Sequence, residues 1–231
     1  MTLSVPTGRP VIVVMVKAPR PGAAKTRLTP PLSPPDAAGL AAAFAQDAVA
    51  NARGACPDVL VAYAPADGRE TLGPLLPPET RWIEQRGADL GARLDAAVTD
   101  AEAQGYGPIV VIGTDSPTLP HSYVQLALEA LTEGDADLTL GPTDDGGYYL
   151  VGTRRHVPGL FTGIAWSTPA AFAQTLAGGK RLGLRPQILP PWYDVDTYDD
   201  LTRLNEEFTA DPSRKFLAPS TWAWLQTHPL G

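Results

Sequence analysis

Residues 11–28 read VIVVMVKAPRPGAAKTRL, an unbroken apolar run followed by a basic, proline-containing loop. The six apolar residues at its start are too few for a membrane span. They favour a strand that is buried on both faces. Lys17 ends the run, and Gly22, Lys25 and Arg27 follow it. This pattern predicts the first strand of a parallel sheet, with a loop at its end that is suited to bind an anion.

Further apolar runs recur along the chain, and amphipathic stretches separate them. An N-cap at Ser33, followed by Asp36, predicts the start of one helix, and Thr197 is a plausible cap for another. The alternation of strand and helix predicts an α/β fold: a Rossmann-like, mainly parallel mixed sheet with helices on both faces. We expect one domain over residues 1–231, with a core at about 10–208 and a C-terminal extension at 209–231. The predicted strands are Val11–Val16, Val59–Ala64, Arg81–Glu84, Ile109–Gly113, Asp137–Leu140 and Tyr148–Val151.

Composition narrows the class of protein. The 231 residues carry a formal net charge of −7, and an acidic chain is a poor general binder of nucleic acid or anionic membranes. Five of the 18 basic side chains nevertheless lie in residues 1–30, which contain no carboxylate, and this indicates a local anion site. Cys56 is the one cysteine, so no internal disulfide and no multi-cysteine metal site are expected. A single cysteine and the lack of a long apolar run together predict a cytoplasmic protein that makes no contact with a membrane.

The basic loop after the first strand favours a phosphate ligand. Lys17, Lys25 and Arg27 would repel one another near one strand end unless an anion lay between them, and both side-chain types bind phosphate well. The loop is not a Walker A motif, because Ala24 stands where that motif requires glycine. The alternative interpretation is a solvated basic loop at the end of a strand.

Two further loops carry aspartates with the chemistry of a metal site. Asp115 follows the strand in the run GTDSP, at the sheet edge where ligands of α/β proteins bind. Asp194 and Asp196 lie two residues apart, so an extended segment would point both the same way and let them complete a site for Mg²⁺ or Mn²⁺. The alternatives are a turn or cap formed by Asp115 and Ser116, and a helix cap formed by Asp196 with its neighbour.

The run GPTDDGGYYLVG, residues 141–152, supplies candidate catalytic residues. Either Asp144 or Asp145 could act as a general base or orient an acceptor hydroxyl. Gly146, Gly147 and Tyr148 follow directly and are predicted to lie on the acceptor side of the site. A plain hairpin turn, which Asp-Gly also favours, is the alternative.

A weaker motif precedes a predicted helix in the run EQRGADLGARL, residues 84–94. Gln85, Gly87 and Asp89 lie at its start, and glycines at a helix start leave room for a nucleoside. We therefore include these three residues in the predicted nucleotide-binding set.

Taken in order, six motifs resemble those of a bacterial glycosyltransferase-like family with the GT-A fold. They are VKAPRPGAAKTRL, QRGADLGARL, GTDSPTLP, GPTDDGGYYLVG, AWST and DVDTYDDL. Its members are often labelled nucleotide-diphospho-sugar transferases, and some are assigned to arsenosugar biosynthesis. The resemblance runs from about Val11 to about Leu204. It implies a phosphate loop at Lys17, Gly22, Lys25 and Arg27, a metal-binding aspartate at Asp115, and functional positions at Asp89, Asp145 and Asp196.

Three functions are compatible with these residues. The first is a metal-dependent enzyme that transfers a sugar from a nucleotide-sugar to a small acceptor. The second is nucleotidyl transfer from a nucleoside triphosphate to a phosphorylated metabolite. It is suggested because the first loop also resembles those of molybdenum-cofactor and 2-phospho-lactate guanylyltransferases. The third is a non-catalytic sensor of nucleotides or sugar phosphates. The sequence predicts no particular base, sugar, acceptor or oligomeric state.

Overall fold

The structure, a computed structural model, describes residues 8–230; the ends of the predicted domain, residues 1–7 and 231, lie outside the described residues. The strands are β1 Arg9–Lys17, β2 Val59–Ala64, β3 Arg81–Glu84, β4 Tyr106–Ile112, β5 Leu138–Pro142, β6 Tyr148–Thr153 and β7 Pro186–Ile188. The helices are α1 Pro34–Ala55, α2 Gly68–Leu72, α3 Leu90–Ala103, α4 His121–Glu133, α5 Ala171–Arg181, α6 Tyr198–Ala210 and α7 Pro219–Thr227. Short 3-10 turns cover Thr26–Leu28, Gly73–Leu75 and Pro212–Phe216.

All seven strands form one sheet in the order β3-β2-β1-β4-β6-β5-β7. β6 runs antiparallel to β4 and β5, while the other pairings are parallel. The six predicted strands are confirmed, and the mainly parallel mixed sheet is confirmed with them. The winding reverses between β1 and β4, and the loops beyond the carboxyl ends of these two strands therefore border a crevice.

Helices cover both faces of the sheet, as the alternation of strands and helices predicts. The alternate residues Ile12, Val14 and Val16 of β1 pack in one buried cluster with α1 and α4. Val11 and Val13 point the other way, into a cluster with α3. Because every second side chain of β1 is buried on each face, a continuous apolar run was the correct signal for this strand.

A third buried cluster fixes the C-terminal part of the chain on α1. Phe44 of α1 packs with Phe208 of α6 and Trp224 of α7. The carboxylate of Asp47 accepts hydrogen bonds from the backbone N–H groups of Ser220 (2.9 Å) and Thr221 (2.8 Å) at the start of α7. Val195 and Tyr193 belong to the same cluster, which thereby positions the segment 193–196 beside the carboxyl edge of the sheet.

Both predicted helix caps are confirmed. The Ser33 hydroxyl accepts a hydrogen bond from the Asp36 backbone N–H at 3.2 Å, and Thr197 forms a capping box with Asp200. Within residues 8–230, no helix combines the length and the apolar character needed to cross a membrane.

Candidate functional site

The loops after β1, β4 and β5 border a cavity of about 700 Å³ at the carboxyl edge of the sheet. Segments around residues 166–169 and 194–196 complete its walls. The predicted site residues that line this cavity are Lys17, Lys25, Arg27, Gln85, Asp115, Asp145, Gly147, Tyr148, Asp194 and Asp196. The predicted residues that do not line it are Gly22, Gly87, Asp89, Asp144 and Gly146.

Lys25 is the centre of the charged part of the cavity. Its Nζ atom lies 2.6 Å from Asp115 Oδ1 and 3.0 Å from Asp196 Oδ1, and it donates to the carbonyl oxygen of Val195 at 2.6 Å. Burial alone would lower the pKa of Lys25, but the two carboxylates outweigh it and hold that pKa above its ordinary value. Lys25 is therefore charged at neutral pH, and it joins two loops that the sequence assigned to a metal site.

The segment Asp194–Asp196 is held against the loop after β4. The backbone N–H of Val195 donates to the carbonyl oxygen of Asp115 at 2.8 Å, and the Ser116 hydroxyl donates to Asp194 Oδ1 at 2.6 Å. Burial raises the pKa of Asp194 to about 7, opposed by the Ser116 hydrogen bond and reinforced by the charges of Asp115 and Asp196. All three aspartates line the cavity, and Asp194 is the one whose pKa burial raises, whereas the side chains of Asp115 and Asp196 are 44% and 37% exposed.

The acidic group has the donor atoms that Mg²⁺ or Mn²⁺ prefers. The side chains of Asp115 and Asp196 are 44% and 37% exposed, and both present carboxylate oxygens to one cation, the ammonium of Lys25. Within residues 8–230, no three His, Cys, Asp or Glu side chains converge as a preformed metal site. The carboxylate oxygens of this group are therefore suitable ligands for a divalent cation. Asp115 and Asp196 already bind one positive charge, the ammonium of Lys25.

Two more cations border the same cavity. Arg27 lies 3.6 Å from Asp196 and is 70% exposed, so it is free to turn towards a ligand. Lys17 is exposed at the carboxyl end of β1. These two side chains can contact the oxygens of a bound phosphate in the way that the sequence predicts.

The turn between β5 and β6 separates the two candidate catalytic aspartates. Asp145 lines the cavity, and its Oδ1 accepts hydrogen bonds from the Thr143 hydroxyl (2.6 Å) and the Gly147 N–H (2.9 Å). The Thr143 hydrogen bond is the largest cause that lowers the pKa of Asp145. Asp144 instead points away and pairs with Arg203 at 3.3 Å. Asp145 is therefore an ionised hydrogen-bond acceptor and a weak base.

Asp144 borders a second, smaller pocket of about 380 Å³ beside the main cavity. The guanidinium of Arg203 lies 3.9 Å from the ring centre of Tyr193, and the Tyr193 hydroxyl donates to Glu207. Apart from Asp144, the lining residues Pro191, Trp192, Tyr193, Arg203 and Glu207 were not predicted from the sequence.

The motif before α3 serves mainly to place that helix. Asp89 is the N-cap, and its carboxylate accepts the Ala92 N–H at 2.8 Å. Gln85 lines the cavity while its amide donates to the carbonyl oxygens of Val16 (3.2 Å) and Ala62 (2.7 Å). Of the predicted nucleotide-binding trio, Gln85 alone borders the cavity, and Gly87 and Asp89 lie outside it.

Sequence reasoning missed the wall formed by residues 166–169. Trp166 packs edge-on against Tyr148, with ring centres 6.2 Å apart, and Ser167 lines the cavity with a left-handed backbone (φ 59°). A Cβ atom at Gly91 would lie 2.6 Å from Trp166 Nε1, so glycine in α3 lets the indole approach. The AWST motif was the available signal, although neither periodicity nor charge assigned it a role.

Comparison with known proteins gives a family and a fold. A family model described as "Uncharacterized protein conserved in bacteria (DUF2064)" matches residues 47–168. A solved structure from Desulfovibrio desulfuricans G20, described as a "putative nucleotide-diphospho-sugar transferase", is 33% identical. The match covers 97% of this chain and 100% of that chain, with a TM-score of 0.81. No curated protein matches the chain.

More distant solved structures share the fold. Molybdopterin-guanine dinucleotide biosynthesis protein A from Archaeoglobus fulgidus is 15% identical, with 87% of this chain and 100% of that chain covered and a TM-score of 0.54. A manganese complex of the Rv0371c protein from Mycobacterium tuberculosis H37Rv is 18% identical, with 87% and 99% covered and a TM-score of 0.50. The predicted Rossmann-like fold of GT-A type is confirmed by the Desulfovibrio match, and these two agree with it.

Proposed function

The chain belongs to the DUF2064 family, and from this premise we propose that it is a metal-dependent transferase that moves a sugar from a nucleotide-diphospho-sugar to a small acceptor. The observation that carries the proposal is the group formed by Lys25, Asp115 and Asp196 at the switch point between β1 and β4. The 33%-identical Desulfovibrio protein, by its description, supports the same class of donor. A link to arsenosugar biosynthesis stays a prediction from the sequence resemblance.

Four charged residues of the cavity bind the metal or the phosphates of the donor in this proposal. Asp115 and Asp196 would hold Mg²⁺ or Mn²⁺, which supplies charge neutralisation at the diphosphate leaving group. One of the distant fold neighbours is a manganese complex, in keeping with this choice of metal. Lys17 and Arg27 bind phosphate oxygens from the open side of the cavity.

Asp145 orients the acceptor. Its pKa is lowered, so the carboxylate stays ionised and accepts a hydrogen bond from an acceptor hydroxyl more readily than it removes the proton. Tyr148 and Trp166 form an aromatic wall close by, and a sugar ring or an apolar acceptor can pack against such a surface.

A specific observation also favours nucleotidyl transfer as a second candidate. Three cations, Lys17, Lys25 and Arg27, border one cavity, and a triphosphate has more negative charge to balance than a diphosphate. In that reaction an acceptor phosphate oxygen forms a bond to the α-phosphorus of the triphosphate, and pyrophosphate leaves.

One experiment separates the two reactions. The purified chain is titrated calorimetrically with nucleotide-sugars, nucleoside diphosphates and nucleoside triphosphates, with and without Mn²⁺. The tightest donor is then incubated with acceptor mixtures and the products are identified by mass spectrometry. Release of a nucleoside diphosphate with a glycosylated product supports sugar transfer, and release of pyrophosphate supports nucleotidyl transfer. If no nucleotide binds with or without metal, both candidates are wrong.

Asp115→Asn tests the role of the metal in the same titrations. It should preserve the fold and weaken metal-dependent donor binding by about 100-fold, because one of two carboxylate ligands is lost. Asp67→Asn is the matched control. Asp67 is 62% exposed, pairs with Arg20 and lies outside the cavity, so this variant should bind the donor as the unaltered chain does. An unchanged metal dependence in Asp115→Asn would contradict the assignment.

A further inference from the structure

The ammonium of Lys25 lies where three oxygen atoms converge. These are Asp115 Oδ1 at 2.6 Å, Asp196 Oδ1 at 3.0 Å and the carbonyl oxygen of Val195 at 2.6 Å. Two anionic oxygens and one carbonyl oxygen are also a typical partial coordination shell for Mg²⁺ or Mn²⁺. A lysine and a divalent metal would therefore compete for the same oxygen atoms.

The two sides of this group differ in their access to the cavity. The Lys25 side chain is 8% exposed and packs against the ring of Phe44, with Nζ 5.2 Å from the ring centre. The carboxylates of Asp115 and Asp196 are 44% and 37% exposed. A cation that enters from the cavity thus reaches the exposed carboxylates directly, and it competes with the buried ammonium for their oxygen atoms.

The backbone at Lys25 is also unusual. Its φ of 47° and ψ of 42° lie in the left-handed region, which costs a residue with a side chain conformational energy. This conformation places Lys25 at the start of the 3-10 turn Thr26–Leu28, between the exposed part of the loop and the buried cluster around Leu28. The lysine in this strained position contacts both Asp115 and Asp196, which argues for a purpose beyond a surface ion pair.

We propose that Lys25 is an internal counter-ion for the Asp115–Asp196 pair, and that a divalent cation must displace its ammonium in order to bind. This proposal rests on the proposed function, which supplies the identity of the metal and of the anionic donor. The displaced ammonium sits on a flexible four-carbon stem beside the cavity and becomes available to phosphate oxygens of the donor. The free protein therefore binds metal weakly, and metal and anionic donor increase each other's affinity by the same factor.

The first test measures Mn²⁺ binding without any nucleotide, by the electron paramagnetic resonance signal of free Mn²⁺. Lys25→Met removes the competing charge and keeps an unbranched side chain against Phe44. It should tighten Mn²⁺ binding by about tenfold or more. Lys17→Met is the matched control, since Lys17 lines the same cavity but is not held between the two carboxylates. Solvent screens its exposed charge, so Mn²⁺ affinity should change by less than about threefold.

An equal change in Mn²⁺ affinity in Lys25→Met and Lys17→Met would show that the loss of any nearby positive charge has the same effect. That result would overturn the proposal. Unchanged or weaker Mn²⁺ binding in Lys25→Met would overturn it as well, because removal of a competitor has to strengthen binding.

A second test uses the unaltered chain and so does not depend on how well Lys25→Met folds. The rate of acetylation of each lysine by an amine-reactive ester is followed by peptide mass spectrometry, with and without Mn²⁺. Displacement should make Lys25 react about tenfold faster when Mn²⁺ is present, because it leaves a protected environment. The rate at Lys17 should stay constant. No acceleration at Lys25 overturns the proposal.

The outcomes are distinct from those of the donor titrations. If Mn²⁺ accelerates acetylation of Lys25 but no nucleotide binds, the counter-ion exchange holds and the transferase proposal fails. If Asp115→Asn weakens donor binding but Mn²⁺ does not change the acetylation rate of Lys25, the counter-ion exchange is wrong and the transferase proposal stands.

Discussion

Replacing Gly146 with alanine should destabilise the chain by about 3 kcal/mol and distort one wall of the cavity. Gly146 has a φ of 86°, in the left-handed region, and a Cβ atom there would lie 2.3 Å from the carbonyl oxygen of Pro169. Pro169 belongs to the wall formed by residues 166–169, which also contributes Trp166 and Ser167 to the cavity. The turn that carries Asp145 and this wall are therefore packed in direct contact.

The magnitude follows from two separate costs. A left-handed backbone costs an alanine about 1–2 kcal/mol relative to glycine. Ordinary contact begins near 3.4 Å, so Pro169 must also move by about 1 Å, and overpacking of this kind costs about 1–3 kcal/mol. The chain offers a control for the first cost alone. Gly105 has a φ of 84° with nothing within 4 Å of a Cβ atom, so Gly105→Ala should cost about 1 kcal/mol.

Urea unfolding followed by tryptophan fluorescence measures both variants, and an unchanged slope with a lower midpoint identifies a pure loss of stability. We expect Gly146→Ala to lose about 2 kcal/mol more than Gly105→Ala. It should also weaken donor or acceptor binding, whereas Gly105→Ala should leave binding unaltered. If Gly146→Ala and Gly105→Ala lose the same free energy of unfolding, the close approach of Pro169 is not the reason for glycine at position 146.

Two buried aspartates should respond to pH in opposite directions. Hydrogen bonds from Arg185, followed by Arg154, lower the pKa of Asp137, so its contribution to stability is present above its unfolded pKa and is lost as the pH falls through the lower folded pKa. Asp137→Asn should therefore cost about 3 kcal/mol at pH 7 and progressively less below pH 4, measured by urea unfolding across that range. Burial raises the pKa of Asp47, so its contribution is fully present below the unfolded pKa and declines as the pH rises. Asp47→Ala removes the hydrogen-bond acceptor at the start of α7 and should lower the free energy of unfolding by about 2 kcal/mol at pH 7. The loss should be larger at pH 4, and a smaller loss at pH 4 would contradict the raised pKa of Asp47.

The strands that sequence reasoning found share one physical property. β1, β2 and β4 are nearly continuous apolar runs because helices cover both faces of the sheet, and such runs are visible without any structure. Sequence reasoning missed β7, α2, α5 and α7, and the patterns of β7 and α5 show why. β7 has three residues and lies at the edge of the sheet, and α5 contains the pair Gly178–Gly179, which a sequence pattern does not favour in a helix.

Local chemistry identified the residues of the site, since charged side chains that follow buried strands must collect at one edge of a parallel sheet. On this basis the phosphate loop and the aspartates were predicted as neighbours. Local chemistry did not separate Asp144 from Asp145. Both belong to one turn, and the hydrogen bonds from Thr143 and Gly147 decide which carboxylate faces the cavity.

The contact that matters most joins residues far apart in the chain. The sequence assigned Lys25 to a phosphate and Asp115 and Asp196 to a metal, which are separate roles. Folding brings the ammonium between the two carboxylates, because the cluster of Phe44, Val195 and Leu28 fixes the loop after β1 against the segment before α6. The positions of most strands and the residue types of the site thus follow from local patterns of polarity. The pairing of a buried charge depends on packing between distant segments, and no local pattern records it.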